Sequence, residues 1–165
     1  MNNIKGRSLK YGDNINTDII SPPAYMELPI KEAAKYTMAP VDADFASKCQ
    51  QGDIFVAEKN LGSGSSRETA PLMLKELGIK TIVAKSFARI FYRNCINLGI
   101  LAIQCEDTDK ISMFDNIEID YINGSIHNVS KNEQYSCEKI PGHIMEFIEK
   151  DGLINYLREK FKVKD

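Results

Sequence analysis

The sequence predicts one mixed α/β domain over residues 1–165, with a parallel β-α-β-α-β core followed by a β-hairpin and C-terminal helices. Apolar runs at residues 54–57, 81–84 and 100–103 are typical of strands buried on both faces, and the first of these strands is predicted to span residues 53–58. Helical patterns separate these runs, and strands that alternate with helices favour a parallel sheet. A later segment alternates apolar and polar residues up to Asn123-Gly124, which is a strong hairpin signal.

The N-terminal third is predicted to hold one strand and two short helical segments, joined by loops. The strand spans residues 7–11, and the helical segments span residues 31–38 and 42–49. Residues 12–18 form a turn-rich loop that is dense in carboxamide and carboxylate groups. Pro22 and Pro23 exclude a helix interior, so residues 24–29 are expected to be an irregular loop. Asp42 is the expected cap of the second helical segment.

The helices of the core and of the C-terminal part follow from caps and periodic apolar residues. They are predicted at residues 68–77, 86–99, 141–148 and 153–161. Gly78 is a C-terminal stop signal for the first of them, and Ser86 is the expected cap of the second. The hairpin strands are predicted at residues 116–122 and 125–129. No linker or repeat divides the chain.

Composition excludes several classes of function. The formal net charge is −2, and lysine and arginine form no cluster, which argues against nucleic-acid binding. No apolar run approaches membrane-spanning length, and residues 1–5 lack the apolar segment of a signal peptide. We therefore expect a cytoplasmic protein with neither a nucleic-acid nor a membrane partner.

The cysteines do not form a metal-binding pattern. The chain has 4 cysteines, none of them in a C-x-x-C pair and none near a histidine at zinc-ligand spacing. Buried or unreactive thiols are the favoured interpretation. We expect no metal bound by this chain, and an iron–sulfur cluster would have to be held by another chain.

A glycine-rich turn at residues 58–68 is the strongest candidate site. Gly62 and Gly64 allow positive φ and close approach of the backbone to a ligand. They precede Ser65, Ser66 and Arg67 at the expected start of a helix, where amide groups and the macrodipole favour anions. Two hydroxyls, a guanidinium and a helix N-terminus indicate a site for a carboxylate or a phosphate.

Simpler interpretations of this turn explain less of it. A dinucleotide fingerprint fails because Arg67 stands where a third glycine is needed, and no Gly-Lys-Ser/Thr phosphate loop follows. An ordinary helix start needs one capping serine, but not two serines, two glycines and an arginine together.

Other polar candidates carry weaker signals. Asp13 and Asp18 are default turn residues, so spacing alone does not favour an acid–base pair. Arg89 and Arg93 share one helix face, where a partner surface, an anionic ligand and a solvated face all remain open. No histidine has a triad-like neighbour.

The loop after residue 23 is unexpectedly apolar. Tyr25, Met26 and Leu28 lie where polar residues are usual. This favours a loop that faces a substrate or an interface.

Three segments then resemble the swivel domain of the aconitase superfamily. They are residues 12–20 (G-D-N-I-N-T-D-I-I), 62–68 (G-S-G-S-S-R-E) and 85–94 (K-S-F-A-R-I-F-Y-R-N). In length and motif order the chain resembles the small subunits of the isopropylmalate dehydratase family, in which large and small chains are separate. The resemblance implies an aconitase-like swivelling β/β/α domain and a hydro-lyase subunit of leucine biosynthesis.

The resemblance also implies roles for individual residues. Ser65 corresponds to the serine base, Ser66 and Arg67 to residues that hold a substrate carboxylate, and Asp18 to an active-site aspartate. It implies that a large subunit carries a [4Fe–4S] cluster and that this small subunit, inactive alone, closes over it. No cofactor is expected on this chain.

Two features bear on the substrate. The family usually has histidine after S-S-R-E, where this chain has Thr69. The loop carrying Tyr25, Met26, Glu27 and Leu28 corresponds to the one that governs substrate choice, and no arginine lies between residues 7 and 67 to hold a third carboxylate.

We therefore expect a hydroxy-dicarboxylate substrate of the isopropylmalate type. Citramalate, dimethylmalate and homoaconitate are the alternatives within the same chemistry, homoaconitate being the least favoured of them. A non-catalytic anion-binding module is the alternative outside it.

Overall fold

A mixed sheet organises the chain in the computed structural model, which describes residues 3–65 and 67–161. Its strands are β1 (Asn3–Lys10), β2 (Ile54–Val56), β3 (Thr81–Ala84), β4 (Leu101–Gln104), β5 (Asn116–Asp120), β6 (Ser125–Asn128) and β7 (Glu133–Ser136). Within the described residues the strand order is β4-β3-β2-β1-β5-β6-β7. β1 is thus the central strand, at which a parallel half meets an antiparallel half.

Helices of one to three turns surround the sheet. They are α1 (Thr17–Ile20), α2 (Ile30–Ala33), α3 (Phe45–Lys48), α4 (Thr69–Glu76), α5 (Arg89–Asn97), α6 (Gly142–Glu149) and α7 (Leu153–Lys160), with 3-10 turns at Pro23–Tyr25, Ala34–Tyr36 and Thr108–Lys110. Nowhere in the described ranges does a helix reach the length and apolar character that crossing a membrane requires.

The parallel half confirms the predicted β-α-β-α-β core. β1, β2, β3 and β4 pair in parallel, with Leu9 opposite Phe55 and Phe55 opposite Ile82. Side chains alternate between two apolar clusters, since Phe55 and Ile82 enter one cluster while Val56 and Val83 enter the other. Both faces are therefore buried, as the continuous apolar runs predicted.

The antiparallel half contains the predicted hairpin and one strand that was not predicted. Ile119 of β5 lies opposite Ile126 of β6, and a four-residue connection rather than a two-residue turn joins the strands. In this connection Gly124 adopts φ +77°, and its N–H donates to the Asp120 carbonyl at 2.9 Å. The sequence does not predict β7, because Tyr135 is the one buried side chain of this strand and one apolar residue gives no alternating pattern.

Several local predictions need correction. The first strand begins at Asn3 rather than at residue 7, because β5 pairs with its N-terminal half. Residues 31–38 form a short α-helix and a separate 3-10 turn rather than one helix. Ser86 does not cap α5: the capping position is Ala88, and Ser86 Oγ instead accepts the Asn60 N–H at 2.7 Å.

Asp42 does not cap α3 either. The capping position is Asp44, and the Asp42 carboxylate accepts hydrogen bonds from Tyr11 Oη and Lys48 Nζ, each at 2.6 Å. Asp42 therefore joins β1 to α3. Its bond to Tyr11, which lies 31 residues earlier, could not be derived from local sequence.

Candidate active site

A cleft of about 230 Å³ lies between the loop that follows β2, the start of α1 and the start of α5. It is lined by Thr17, Gly62, Gly64, Ser65, Arg67, Ala88, Arg89, Ile90, Phe91 and Asn94. The glycine-rich turn, the T-D motif and the predicted helix after residue 86 therefore contribute to one site. These are the three segments that carry the resemblance.

The two glycines allow the loop to pass closely between its neighbours. Gly62 has φ +87°, and a Cβ there would lie 2.0 Å from Phe91 Cγ. Gly64 has φ +105°, and a Cβ there would lie 3.1 Å from Thr17 Oγ1. Backbone bonds fix the loop in this place, since the Gly62 N–H donates to the Ile15 carbonyl at 2.7 Å and the Thr17 N–H to the Ser63 carbonyl at 2.8 Å.

Ser65 presents its hydroxyl at the cleft between two polar partners. The residue is exposed, and its Oγ accepts a hydrogen bond from Arg67 Nε at 3.0 Å. Thr17 Oγ1 lies 3.3 Å from the same oxygen. A guanidinium and a hydroxyl can therefore both donate to this oxygen, which favours its deprotonated form.

Arg67 is held by Asp18. Its Nη2 lies 2.5 Å from Asp18 Oδ1, in an ion pair whose side chains are 21% and 60% exposed. Asp18 is placed by the single turn of α1, which Asn16 caps by accepting the Ile19 N–H at 2.8 Å. The structure thus brings together Ser65, Arg67 and Asp18, three residues that were predicted as site residues. Ser66, which was predicted to act beside them, lies outside the described residues.

The helix beside the site differs from the expected one. α4 begins at Thr69, four residues after Ser65, and its capping position Glu68 makes no side-chain cap bond. The helix whose first turn lines the cleft is α5. The first amide groups of a helix point toward its N-terminal end without intrahelical partners, so α5 contributes positive electrostatic potential there.

Thr69, which stands where the resemblance implies a histidine, has a structural partner. The buried Ser21 donates its hydroxyl to Thr69 Oγ1 at 3.2 Å. Because Ser21 follows α1 and Thr69 starts α4, this bond joins the two elements that flank the turn at residues 62–68.

The predicted substrate loop does not line the cleft in this chain. Tyr25 stacks on Tyr36, with ring centroids 3.8 Å apart and planes 5° apart. Glu27 is exposed, and Met26 and Leu28 are 47% and 42% exposed. These apolar side chains are available to a partner surface or to a ligand held from another side.

Three polar lining residues, Thr17, Arg89 and Asn94, were not assigned to the site by sequence reasoning. Thr17 belongs to the T-D motif but was overlooked beside Asp18. Arg89 was predicted, with Arg93, to serve a partner surface, an anionic ligand or a solvated face, and Asn94 was noted only as part of a motif. The sequence feature that could have identified all three is that each belongs to one of the motifs that carry the resemblance. They meet at the cleft because the turn at residues 62–68 folds against α5.

Among the described residues, the cysteines and the other candidate metal ligands do not form a metal site. All four thiols are free, and burial raises the pKa of Cys49 and of Cys137 to about 12. Across residues 3–65 and 67–161, no three His, Cys, Asp or Glu side chains are grouped so that they could hold a metal ion. These residues therefore do not fit an iron–sulfur cluster.

Comparisons with known proteins agree with this architecture. The family described as Aconitase C-terminal domain matches residues 8–108. The 3-isopropylmalate dehydratase small subunit of Clostridium botulinum is 47% identical over 160 residues, covering 96% of this chain and 99% of the relative. Small subunit 1 of the same enzyme from Thermotoga maritima is 46% identical, with 94% and 95% covered.

A solved structure is equally similar. The crystal structure of 3-isopropylmalate dehydratase from Methanocaldococcus jannaschii matches with a TM-score of 0.91 and 43% identity, covering 97% of this chain and 96% of that one. Agreement therefore extends over the C-terminal third, where the motifs gave little information. The chain belongs to the family of 3-isopropylmalate dehydratase small subunits, within the aconitase superfamily.

Proposed function

We propose that this chain supplies the base and a carboxylate-binding group for the reversible dehydration of a 3-isopropylmalate-type hydroxy-dicarboxylate. The observation that carries the proposal is the environment of Ser65, whose hydroxyl is exposed at the cleft with Arg67 and Thr17 as its polar partners. An unassisted serine is a poor base. Here its oxyanion has a cation and a hydroxyl donor already in place, so little reorganisation is needed.

In this mechanism Ser65 Oγ removes the proton from the carbon beside a substrate carboxylate. Negative charge then develops on that carboxylate as the carbon–hydrogen bond breaks. Arg67 is placed to balance it, because its guanidinium borders both Ser65 and the cleft. We assign Ser66 to the same carboxylate from the resemblance.

Asp18 has a positioning role in this proposal. Its carboxylate accepts from Arg67 Nη2, while Arg67 Nε donates to Ser65. The guanidinium therefore has two of its edges fixed before substrate arrives. Such preorganisation is a recognised source of rate enhancement.

The large subunit completes the site. The cleft of this chain is open, with Arg89 and Ile90 exposed at its edge. Docking of the large subunit would exclude water and strengthen the electrostatic interactions inside. We assign to that subunit the [4Fe–4S] cluster, which supplies the Lewis acid for the departing hydroxyl.

The substrate loop is expected to act in the closed complex. Met26 and Leu28 are exposed apolar side chains that fit a branched alkyl substituent or the partner surface. The loop carries Glu27 and no arginine, which disfavours a third substrate carboxylate. This supports isopropylmalate over homoaconitate.

Reconstitution tests the proposal. The purified chain is mixed under anaerobic conditions with a large subunit of a 3-isopropylmalate dehydratase, and hydration and dehydration are followed with 3-isopropylmalate, citramalate, dimethylmalate and homoaconitate. We expect activity in the mixture, highest with 3-isopropylmalate, and none with either chain alone. A mixture that is inactive on all four acids, while the isolated chain binds one of them tightly, would instead identify an anion-binding module.

A further inference from the structure

We propose that Arg89 holds the second carboxylate of the substrate, an inference that rests on the proposed function. Arg89 lines the same cleft as Ser65 and Arg67, from the side formed by α5. A hydroxy-dicarboxylate carries two negative groups at opposite ends of a short chain. A site for it therefore needs a second cationic group besides Arg67.

The charges of the cleft single out Arg89. Arg67 is already paired with Asp18 at 2.5 Å, so these two side chains together contribute no net charge. Arg89 has no carboxylate within ion-pairing distance among residues 3–65 and 67–161. The charged residues that line the cleft are Arg67 and Arg89. Because Asp18 balances the charge of Arg67, the net positive charge of the cleft comes from Arg89.

The local structure around Arg89 suits a carboxylate. Arg89 is the first residue of α5, where amide groups lack intrahelical acceptors, and the amide side chain of Asn94 lines the same wall. A guanidinium can bind a carboxylate through two parallel hydrogen bonds. The volume of about 230 Å³ lies below the range of about 300–1,000 Å³ of drug-sized sites, which suits a small organic acid.

Arg93 provides a matched control. It lies one turn further along α5, is exposed like Arg89, and does not line the cleft. Substitution of either arginine removes one positive charge from the same helix face. A difference between the two variants therefore reports position in the cleft rather than the net charge of the subunit.

The test compares R89Q, R89K and R93Q with the unaltered chain in the reconstituted complex. Steady-state kinetics give KM and kcat for the preferred substrate, and titration of the small subunit gives its half-saturating concentration. Succinate and its monoamide succinamate serve as competitive inhibitors, because they differ by one carboxylate.

We expect R89Q to raise KM by about ten- to one-hundredfold, because this is the loss of affinity that follows when a hydrogen bond to a charged group is removed. R93Q should stay within about twofold, as is usual for surface substitutions. R89K should fall between, because lysine keeps the charge but not the two-bond geometry. The preference for succinate over succinamate should shrink in R89Q, and the half-saturating concentration should not change.

Two outcomes would overturn the inference while leaving the proposed function intact. In one, R89Q matches R93Q in KM and in inhibitor preference. In the other, its whole defect is a raised half-saturating concentration, which would place Arg89 at the subunit interface. An unaltered complex without activity would overturn the proposed function, and this inference with it.

Discussion

Replacement of Gly62 by alanine tests the backbone geometry on which the cleft depends. Gly62 has φ +87°, and its missing Cβ would overlap the Phe91 ring at 2.0 Å. A left-handed conformation costs an ordinary residue about 1–2 kcal/mol, and overpacking costs about 1–3 kcal/mol more. Alanine recovers about 0.4–1 kcal/mol by restricting the unfolded chain.

These terms predict that G62A loses about 1–5 kcal/mol of its free energy of unfolding. Urea denaturation followed by circular dichroism measures it, with an unchanged m-value as the sign that the unfolded state is unaffected. Gly12 is the matched control, because a Cβ there meets nothing within 4 Å and its φ lies outside the left-handed region. G12A should stay within about 0.5 kcal/mol of the unaltered chain.

G62A should also lose activity in the reconstituted complex when assayed well below its unfolding midpoint. The added methyl must displace either the loop that carries Ser65 or the start of α5, and both line the cleft. Equal stability of G62A and G12A would refute the reasoning, because it would mean that the loop does not pass against Phe91 with the geometry described.

Two further substitutions separate positioning from stability. D18N removes the carboxylate that holds Arg67. Because the Asp18 side chain is 60% exposed, we expect less than about 1 kcal/mol of destabilisation but a loss of about ten- to one-hundredfold in kcat/KM. Unaltered kinetics would contradict the positioning role. Burial opposes ionisation of Asp115, but hydrogen bonds from the Ser112 N–H and from the Asn128 side chain outweigh it and hold the Asp115 pKa below its usual value. This stabilisation is present above about pH 4 and is lost as the pH falls through the lowered pKa. D115N should therefore be destabilised at pH 7 by about 1–3 kcal/mol, and in urea titrations its free energy of unfolding should fall less steeply between pH 4 and 2. A fall between pH 4 and 2 as steep as that of the unaltered chain would contradict this role of Asp115.

The parts of the fold that sequence predicted are those whose signal is local. Residues 81–84 and 100–103 are continuous apolar runs, and they became strands buried on both faces. The alternating segment that ends at Asn123-Gly124 became a hairpin. In these segments, the pattern of burial and the turn residues suffice without knowledge of the neighbours.

The parts that were missed depend on contacts distant in sequence. α1 is a single turn stabilised by its Asn16 cap and by the bond from Thr17 to Ser63, and a loop is the natural prediction for it. The Ser86 hydroxyl serves Asn60 rather than a helix end, a choice that only the folded loop makes available. The position of Arg89 in the cleft likewise requires the turn at residues 62–68 to fold against α5.

The site residues were predicted by resemblance more than by chemistry. Spacing alone indicated an anion site at Ser65 and Arg67 but treated Asp18 as an ordinary turn residue. The ion pair between Asp18 and Arg67 spans the fold and leaves no local trace in sequence.

The most direct test of the account is the turnover of S65A in the reconstituted complex. Ser63, two residues earlier in the same loop, provides the control, since its carbonyl rather than its hydroxyl makes the bond to Thr17. We predict that S65A loses about 10²- to 10⁴-fold in kcat, the contribution usual for a positioned base, while KM, subunit affinity and unfolding midpoint stay near those of S63A. A kcat for S65A equal to that of S63A would contradict the assignment of Ser65 as the base.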